Sequence, residues 1–393
     1  MPAEYEPASI IMPTILFLLA IVCSLLSQLP AMLESPVGGV LKLSWIPVGI
    51  AVAFTSGRNF IGKPVRPWYL FLALFSFYLL LLSAFTTTDY IGTDYTNMWV
   101  SMLICVVSYA YWKKYSGIGK TRIIAFVTLV CAIIFTYVLY TQSLQSIDIT
   151  TRHEIYASKN SAAQIIFACG LVAMICLKPK KLLGKTALIT ILALFTVIVF
   201  MLRSRATIVS YLFVLVYFVL GSPKKWHRVA LVGLVVAVIL VIISNPEYYN
   251  IVVENILFNN RNSDDVNDLS SGRMDIIAGI WDDYLKSPLL GIGIRYVDCF
   301  PFAMLIQFGP IGLIIVMAFL AKIFSDTWKV RKYQPIGECA FLLLSSFLVN
   351  ALFEAQPPFG PGVKCFLVWV FVGFALAEYG KSGRQLQALE DPS

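Results

Sequence analysis

The residues equipped to do chemistry are few, and most of them are basic. Arg203 and Arg205 sit in FMLRSRATIVSY, between two apolar runs. Arg273 and Arg295 bracket SSGRMDIIAGIWDDYLKSPLLGIGIRY, which begins at Ser270, and Asp298 follows three residues later. Arg152 and His153 lie side by side in TTRHEIYASKN. A guanidinium is permanently charged, and its fork matches phosphate oxygens two at a time. Placed against oily helices it is costly unless it is paired or faces a wet cavity. No acidic residue stands within several positions of Arg203 or Arg205. The chemistry these residues suit is the grip of a phosphate-bearing ligand. A carboxylate, Asp298 first and Asp275, Asp282, Asp283 or Glu154 in reserve, would orient or deprotonate a hydroxyl. Plainer readings stand beside this one. Arg203 and Arg205 can snorkel to phospholipid headgroups. Arg273 can pair with Asp268 or Asp275, and Asp298 with Arg295, in a solvated loop.

The elements that must position these residues are apolar helices. Of the 393 residues 59% are hydrophobic and 13% charged, and the mean hydropathy is +0.79. Soluble domains carry about 25% charged residues, so too few remain here to solvate a water-facing surface. The chain reads as an all-α, polytopic integral membrane protein in a single transmembrane domain over 1–393. Backbone groups in lipid must bond within their own segment, and the continuous apolar runs exclude the alternation of a barrel. About twelve spans are expected, near 10–30, 37–55, 68–86, 97–112, 123–142, 161–177, 186–202, 206–221, 229–245, 302–322, 338–355 and 362–379. The second, with Lys42 and Pro47, is the weakest. Residues 1–9 lack a basic stretch, so the first run reads as a span rather than a signal peptide.

Charge orients the bundle. With both termini inside, the inner segments are GRNFIGKPVR, KKYSGIGKTR, KPKKLLGK, SPKKWHR, AKIFSDTWKVRK and KSGR, which hold most of the lysines and arginines. This is the positive-inside bias. It accounts for the net charge of +8 without any nucleic-acid partner. The arginines that defy the bias, Arg152, Arg203, Arg205, Arg261, Arg273 and Arg295, fall on the outer side, with most of the acidic residues. The eight cysteines form no CxxC pair and suggest neither metal nor disulfide framework. Glu354, before QPPFGPG, reads either as lining an outer groove or as a structural partner of Lys364.

One long polar segment, 246–301, separates the ninth and tenth expected spans. Within it Ser270 or Ser271 can cap a short helix, Asp275 suits its first turn, and Lys286 its last before Pro288. Ile277, Ile280, Trp281, Tyr284 and Leu285 give one apolar stripe at helical spacing. The GIG at 291–293 then allows a tight turn that delivers Arg295 and Asp298 to the next span. The segment reads as a lid with an arginine at each end, and Trp281 and Tyr284 as rings on which a sugar can stack.

Three stretches in order, RSRAT at a span junction, SGRMDIIAGIWDDYLKSPLLGIG, and FAMLIQFGPIGLII, resemble the O-antigen polymerase and O-antigen ligase superfamily, and KNSAAQIIFACGL at 159–171 is similar to an earlier span start there. The resemblance covers roughly residues 155–325. It implies an inner-membrane glycosyltransferase, GT-C-like, needing no metal or other cofactor. The donor would be a glycan on undecaprenyl pyrophosphate, used at the periplasmic face among membrane lipids. A flippase and a chain-length regulator would be its neighbours. Carried over by position, Arg205 with Arg203, and Arg273, would hold pyrophosphate, with Arg295, Arg152 and His153 as further contacts. Inversion at the anomeric carbon is expected on the same ground. Ligases of the group carry a His-Asn pair about eleven residues before the glycine that is Gly309 here, and that count lands on Asp298-Cys299. The chain has only two histidines, His153 and His227. The departure favours a polymerase, with a ligase as runner-up. A lipid-linked oligosaccharide transporter fits the span count, but the two halves show no repeat and the polar residues crowd one face. A scaffold subunit would leave the outer arginines unexplained.

Overall fold

The computed structural model describes residues 7–33, 35–56, 62, 64–86, 88–144, 159–221, 229, 232–233, 236, 240–257, 273–332, 334–355, 357–360 and 365–390. Twelve helices are labelled here: α1 Pro7–Leu26, α2 Trp45–Ser56, α3 Arg66–Phe85, α4 Thr93–Tyr115, α5 Ile118–Leu139, α6 Lys159–Cys176, α7 Leu182–Met201, α8 Arg205–Gly221, α9 Arg273–Leu285, α10 Phe300–Val330, α11 Pro335–Ala351 and α12 Phe366–Glu390. Shorter helical pieces include Pro36–Lys42, Pro246–Tyr249 and a π-helical stretch, Asn250–Leu257. Among the described residues, 6 helices are long and apolar enough to cross a membrane, and α8, α11 and parts of α1 and α12 are shorter apolar helices. The chain is a multi-pass helical membrane protein. The second expected span is one of the six, running over Pro36–Ser56, with the two-residue turn 43–44 separating Pro36–Lys42, capped by Ser35, from α2. The ninth, near 229–245, lies mostly outside the described residues.

Lipid on the outside and close packing within sort the side chains. α6 is buried along nearly its whole length, and α12 is buried from Phe366 to Ala377. Trp112 of α4 stacks on Phe374 of α12 at 4.4 Å between ring centroids and donates its indole N–H to Glu378 at 2.6 Å. α7 instead exposes Leu182, Leu183, Ile189, Leu194 and Val197. An apolar face of that size suits hydrocarbon rather than water.

α10 is broken, and the break organises the polar end of the bundle. Pro310 has no N–H to give Ile306, and Gly309 leaves the helical region at φ 69 and ψ −178. Three consecutive carbonyls at the break accept from outside the helix. The Ile292 N–H takes that of Ile306 at 2.9 Å, and the Gly293 N–H takes that of Gln307 at 3.1 Å. The Tyr78 hydroxyl donates to that of Phe308 at 2.8 Å. The GIG loop is thereby stitched to the broken helix, and the Ile294 N–H continues the stitch to Asp89 at 3.2 Å. Gly309 is required twice: its φ is left-handed, and a Cβ there would stand 2.2 Å from the Leu289 carbonyl oxygen. Gly309→Ala is expected to cost about 2–4 kcal/mol from backbone strain and overpacking. Gly279→Ala, in a helix with nothing within 4 Å of the new methyl, should gain about 0.5–1 kcal/mol. Thermal unfolding of the two detergent-solubilised variants checks the pair. Equal behaviour would show that the stitch is not stabilising.

Candidate functional site

The stitched loop leads irregularly into α10. Val297 turns inward and is buried at 1% exposure, and its neighbours Tyr296 and Asp298 share the other face. The Tyr296 hydroxyl donates to Asp298 Oδ1 at 2.7 Å. The second carboxylate oxygen, Oδ2, accepts from Arg273 Nε at 2.8 Å. Arg273 opens α9, so one ion pair ties the first turn of the loop helix to the head of α10. The side chains are 27% and 19% exposed, which makes this a half-buried pair, less screened than a surface one. Desolvation of its hydroxyl, and then the hydrogen bond to the Asp298 carboxylate, raise the Tyr296 phenol above its ordinary range, although 65% of the residue's surface is exposed. Tyr296 stays a protonated donor, and it feels the charges of Glu354 and Arg273 as well.

Glu354 lies within electrostatic reach of Tyr296. It follows α11, in a segment where residues 354–355 and 357–360 turn back into the bundle and are buried. Phe359 anchors that segment, stacking on Trp369 at 5.3 Å and on Phe319 at 6.1 Å and tilting against Phe300, two residues past Asp298. Asn160, in the first turn of α6, donates Nδ2–H to Glu354 Oε1 at 2.6 Å. One turn deeper, Gln164 Nε2 donates to Asn350 Oδ1 at 3.3 Å, and Asn350 Nδ2 to Ser210 Oγ at 2.6 Å. Ser210 in turn donates to the Ser346 carbonyl at 2.9 Å. These residues fall at spacings of four, Asn160 and Gln164 on α6, Ser346 and Asn350 on α11, so each helix offers one polar edge. The edges staple α6, α8 and α11 where lipid offers no alternative partner. Gln164 Oε1 and Ser346 Oγ are buried without a hydrogen-bond partner among the described residues. Such orphans cost about 1–3 kcal/mol each and ask for an explanation.

The head of α8 carries the other arginines. Only residues 202–204 separate α7 from α8. Closing that turn puts Arg203 in the left-handed region at φ 51, with 5% of its surface exposed. Position after position in helical proteins, glycine is the usual occupant of such a cap, so a buried arginine there is held against local preference. Ser204 and Thr207, both fully buried, share a hydrogen bond at 2.9 Å beneath it, and Arg205 begins α8 half-buried.

The expected site residues thus divide. Arg273, Asp298 and Tyr296 form one cluster, with Glu354 in electrostatic reach. Asp298 pairs with Arg273 rather than with Arg295. Arg295 is exposed, and its guanidinium bonds the Ile294 carbonyl at 3.2 Å. Its charge is felt by Asp283, which the hydrogen bond to Lys286 holds below the usual carboxylate range. Its own carbonyl is what the structure uses, accepting Gln307 Nε2 at 2.6 Å. Tyr284 is buried, and its hydroxyl is spent on the Pro288 carbonyl at 2.9 Å, so it packs rather than offering a ring to a sugar. Trp281 stacks one face on Phe302 at 5.9 Å and keeps 38% of its surface exposed. Ile277 and Ile280 are half-buried, but Leu285 is exposed, so the apolar stripe of α9 is narrower than its spacing suggests. Arg152, His153, Glu154, Arg261, Asp268, His227, Lys364 and the capping candidates Ser270 and Ser271 lie outside the described residues. No group of His, Cys, Asp and Glu among the described residues has a metal-holding arrangement. Tyr296, Gln164 and Ser210 escaped sequence reasoning. Tyr296 alone carried a signal, standing two residues before Asp298.

Fold and site together define a multi-pass helical protein with guanidinium, phenol and carboxylate groups gathered at one end of the bundle. Residues 189–312 match the family model described as O-Antigen ligase. That segment runs from α7 through the Arg203–Arg205 turn and the loop helix to just past the break at Gly309. The match supports the O-antigen ligase and polymerase superfamily, a group of membrane glycosyltransferase-like proteins, and does not separate ligase from polymerase. A search of curated proteins returns no match.

The raised Tyr296 phenol has a stability consequence. The folded chain holds this proton more tightly than the unfolded chain. Its contribution is therefore intact below the ordinary tyrosine value near 10 and is lost as pH climbs through the higher folded value. Melting temperature should fall with alkaline pH more steeply for the wild type than for Tyr296→Phe. Parallel curves would mean the phenol is not coupled to the site.

Proposed function

We propose that the protein is a surface-polysaccharide polymerase. It transfers a growing glycan from undecaprenyl pyrophosphate to the next lipid-linked repeat unit at the periplasmic face of the inner membrane. The observation that carries this reading is the Arg273–Asp298–Tyr296 cluster, lying inside the family-matched segment and held by a carboxylate where ligases of the group carry histidine. Cleaving a sugar C1–O bond to pyrophosphate moves negative charge onto phosphate oxygens. Fixed cations aimed at that charge stabilise the transition state most where water is excluded. Arginine supplies such charge at any working pH. Arg273 commits Nε to Asp298, and its two Nη groups are the donors a phosphate would take. Arg205, with Arg203 behind it at the head of α8, would hold the second phosphate. Trp281 keeps an exposed ring for the glycan. A carboxylate at the mouth orients or deprotonates the acceptor hydroxyl.

The ligase reading is favoured by the family description itself. A deletion strain separates the two on a lipopolysaccharide gel. Loss of a polymerase leaves core bearing one repeat unit, whereas loss of a ligase leaves bare core and accumulated lipid-linked polymer. In the same strain, Arg205→Ala and Arg273→Ala should each cut chain extension by about 100-fold or more. A normal ladder from either variant, at normal protein level, would remove that arginine from the pyrophosphate grip.

A further inference from the structure

We propose that the bundle holds one anionic phospholipid, with an acyl chain in a groove between α8 and α10 and its phosphate on Arg331. The groove measures about 490 Å³ and its lining is almost wholly apolar. Val216 and Leu220 of α8 form one side, Phe324 and Trp328 of α10 the other, and Phe341 and Leu348 of α11 the floor. Val216, Leu220 and Trp328 stay exposed, so the slot opens sideways, toward hydrocarbon in a membrane protein. An apolar slot alone does not name its occupant. The Trp328 end does. Arg331 caps α10. Its guanidinium lies 3.1 Å from the centroid of the Trp328 ring and 5.9 Å from that of Phe341. Both rings line the groove, so the cation stands on its rim.

Arg331 Nη1 donates to the Trp328 carbonyl. Nε and Nη2, the side-on fork, have no acceptor among the described residues, and no carboxylate there pairs with Arg331. Glu338, one turn before Phe341 on α11, lines a separate pocket with Lys178. A guanidinium held flat by stacking has already given up its side-chain freedom, so little entropy remains to be lost when an oxyanion arrives. The open fork suits two oxygens of one phosphate. Lys329 and Lys332 are exposed on either side of Arg331, and a basic patch between membrane helices favours an anionic headgroup. From that phosphate a hydrocarbon chain continues directly into the slot. A polyprenyl phosphate shares this chemistry, but the arginines assigned above to the glycan donor stand at the other end of the bundle. α10 spans 31 residues, about 45 Å of helix, between the Asp298 cluster and Arg331. The site therefore belongs to a lipid of the bilayer and does not depend on the transfer reaction.

The test uses full-length protein, stripped of lipid in a mild detergent and titrated with dioleoyl phosphatidylglycerol under native mass spectrometry. One phospholipid per chain should be retained above the diffuse background, and its binding should raise the thermal midpoint. Phosphatidylethanolamine, whose ammonium offsets its phosphate, should bind more weakly. Arg331→Gln should weaken the retained lipid about 10-fold or more, the worth of a charge-assisted hydrogen bond. Lys332→Gln removes the same charge one residue further on and should change binding less than about 3-fold. Val216→Trp, on an exposed wall of the groove, should weaken binding by filling the path of the chain while the headgroup contacts stay intact. Equal losses in Arg331→Gln and Lys332→Gln would mean diffuse attraction to a basic surface and overturn the site. Unchanged retention in Val216→Trp would place the chain elsewhere and overturn the groove. Undecaprenyl phosphate that displaces phosphatidylglycerol at equal concentration would give the slot to a carrier lipid and overturn the phospholipid assignment. Should Arg331→Gln not fold, Arg331→Lys, which keeps the charge and loses the fork, carries the test beside Val216→Trp, and wild-type retention in either overturns the proposal.

Discussion

Three carbonyls at the break in α10, those of Ile306, Gln307 and Phe308, accept from groups outside the helix, and the polar end of this bundle depends on them. Inside a membrane protein no water waits to satisfy them, and each would cost several kcal/mol if left bare. The loop amides of Ile292 and Gly293 and the hydroxyl of Tyr78 meet that need. The debt of the broken helix thus becomes the address of the loop. Once residues 292–294 are stitched there, Val297 is buried and the Tyr296 hydroxyl meets Asp298. The ion pair to Arg273 then draws in the first turn of α9.

A second set of polar contacts works by the same logic deeper in the bundle. Asn160, Gln164, Ser210 and Asn350 sit on helices made mostly of apolar residues. Their hydrogen bonds fix the rotation of α6, α8 and α11 about their own axes, which apolar packing against lipid does not. The register of α11 decides where Glu354 emerges. The register of α8 decides where Arg205 begins, and the short turn before it forces Arg203 into its left-handed conformation. Positions of the charged groups are consequences of buried neutral ones.

The charge distribution at the site follows from its carboxylates. Asp298 is bound to a guanidinium and a phenol, and Glu354 to an amide. Arg295, which stands nearest to Asp298 in sequence, is turned toward the exposed side and Asp283.

Hydropathy alone settles that the chain is a helical multi-pass membrane protein, because lipid tolerates few backbone solutions and twenty apolar residues in a row leave one. The two-arginine turn, the loop helix from Arg273 and the glycines at 291 and 293 were also legible, since charge against an apolar background and glycine before a span are local signals. The narrower face of α9 was not, because tertiary contacts choose which residues of a helix are covered. Nor were the partners. That Asp298 meets Arg273, 25 positions away, rather than Arg295, and that Glu354 meets Asn160, 194 positions away, depends on which helix ends the packing brings side by side. Spacing along one chain carries no record of that juxtaposition. Sequence determines which groups are available and which must leave water, and the three-dimensional packing decides which of them meet.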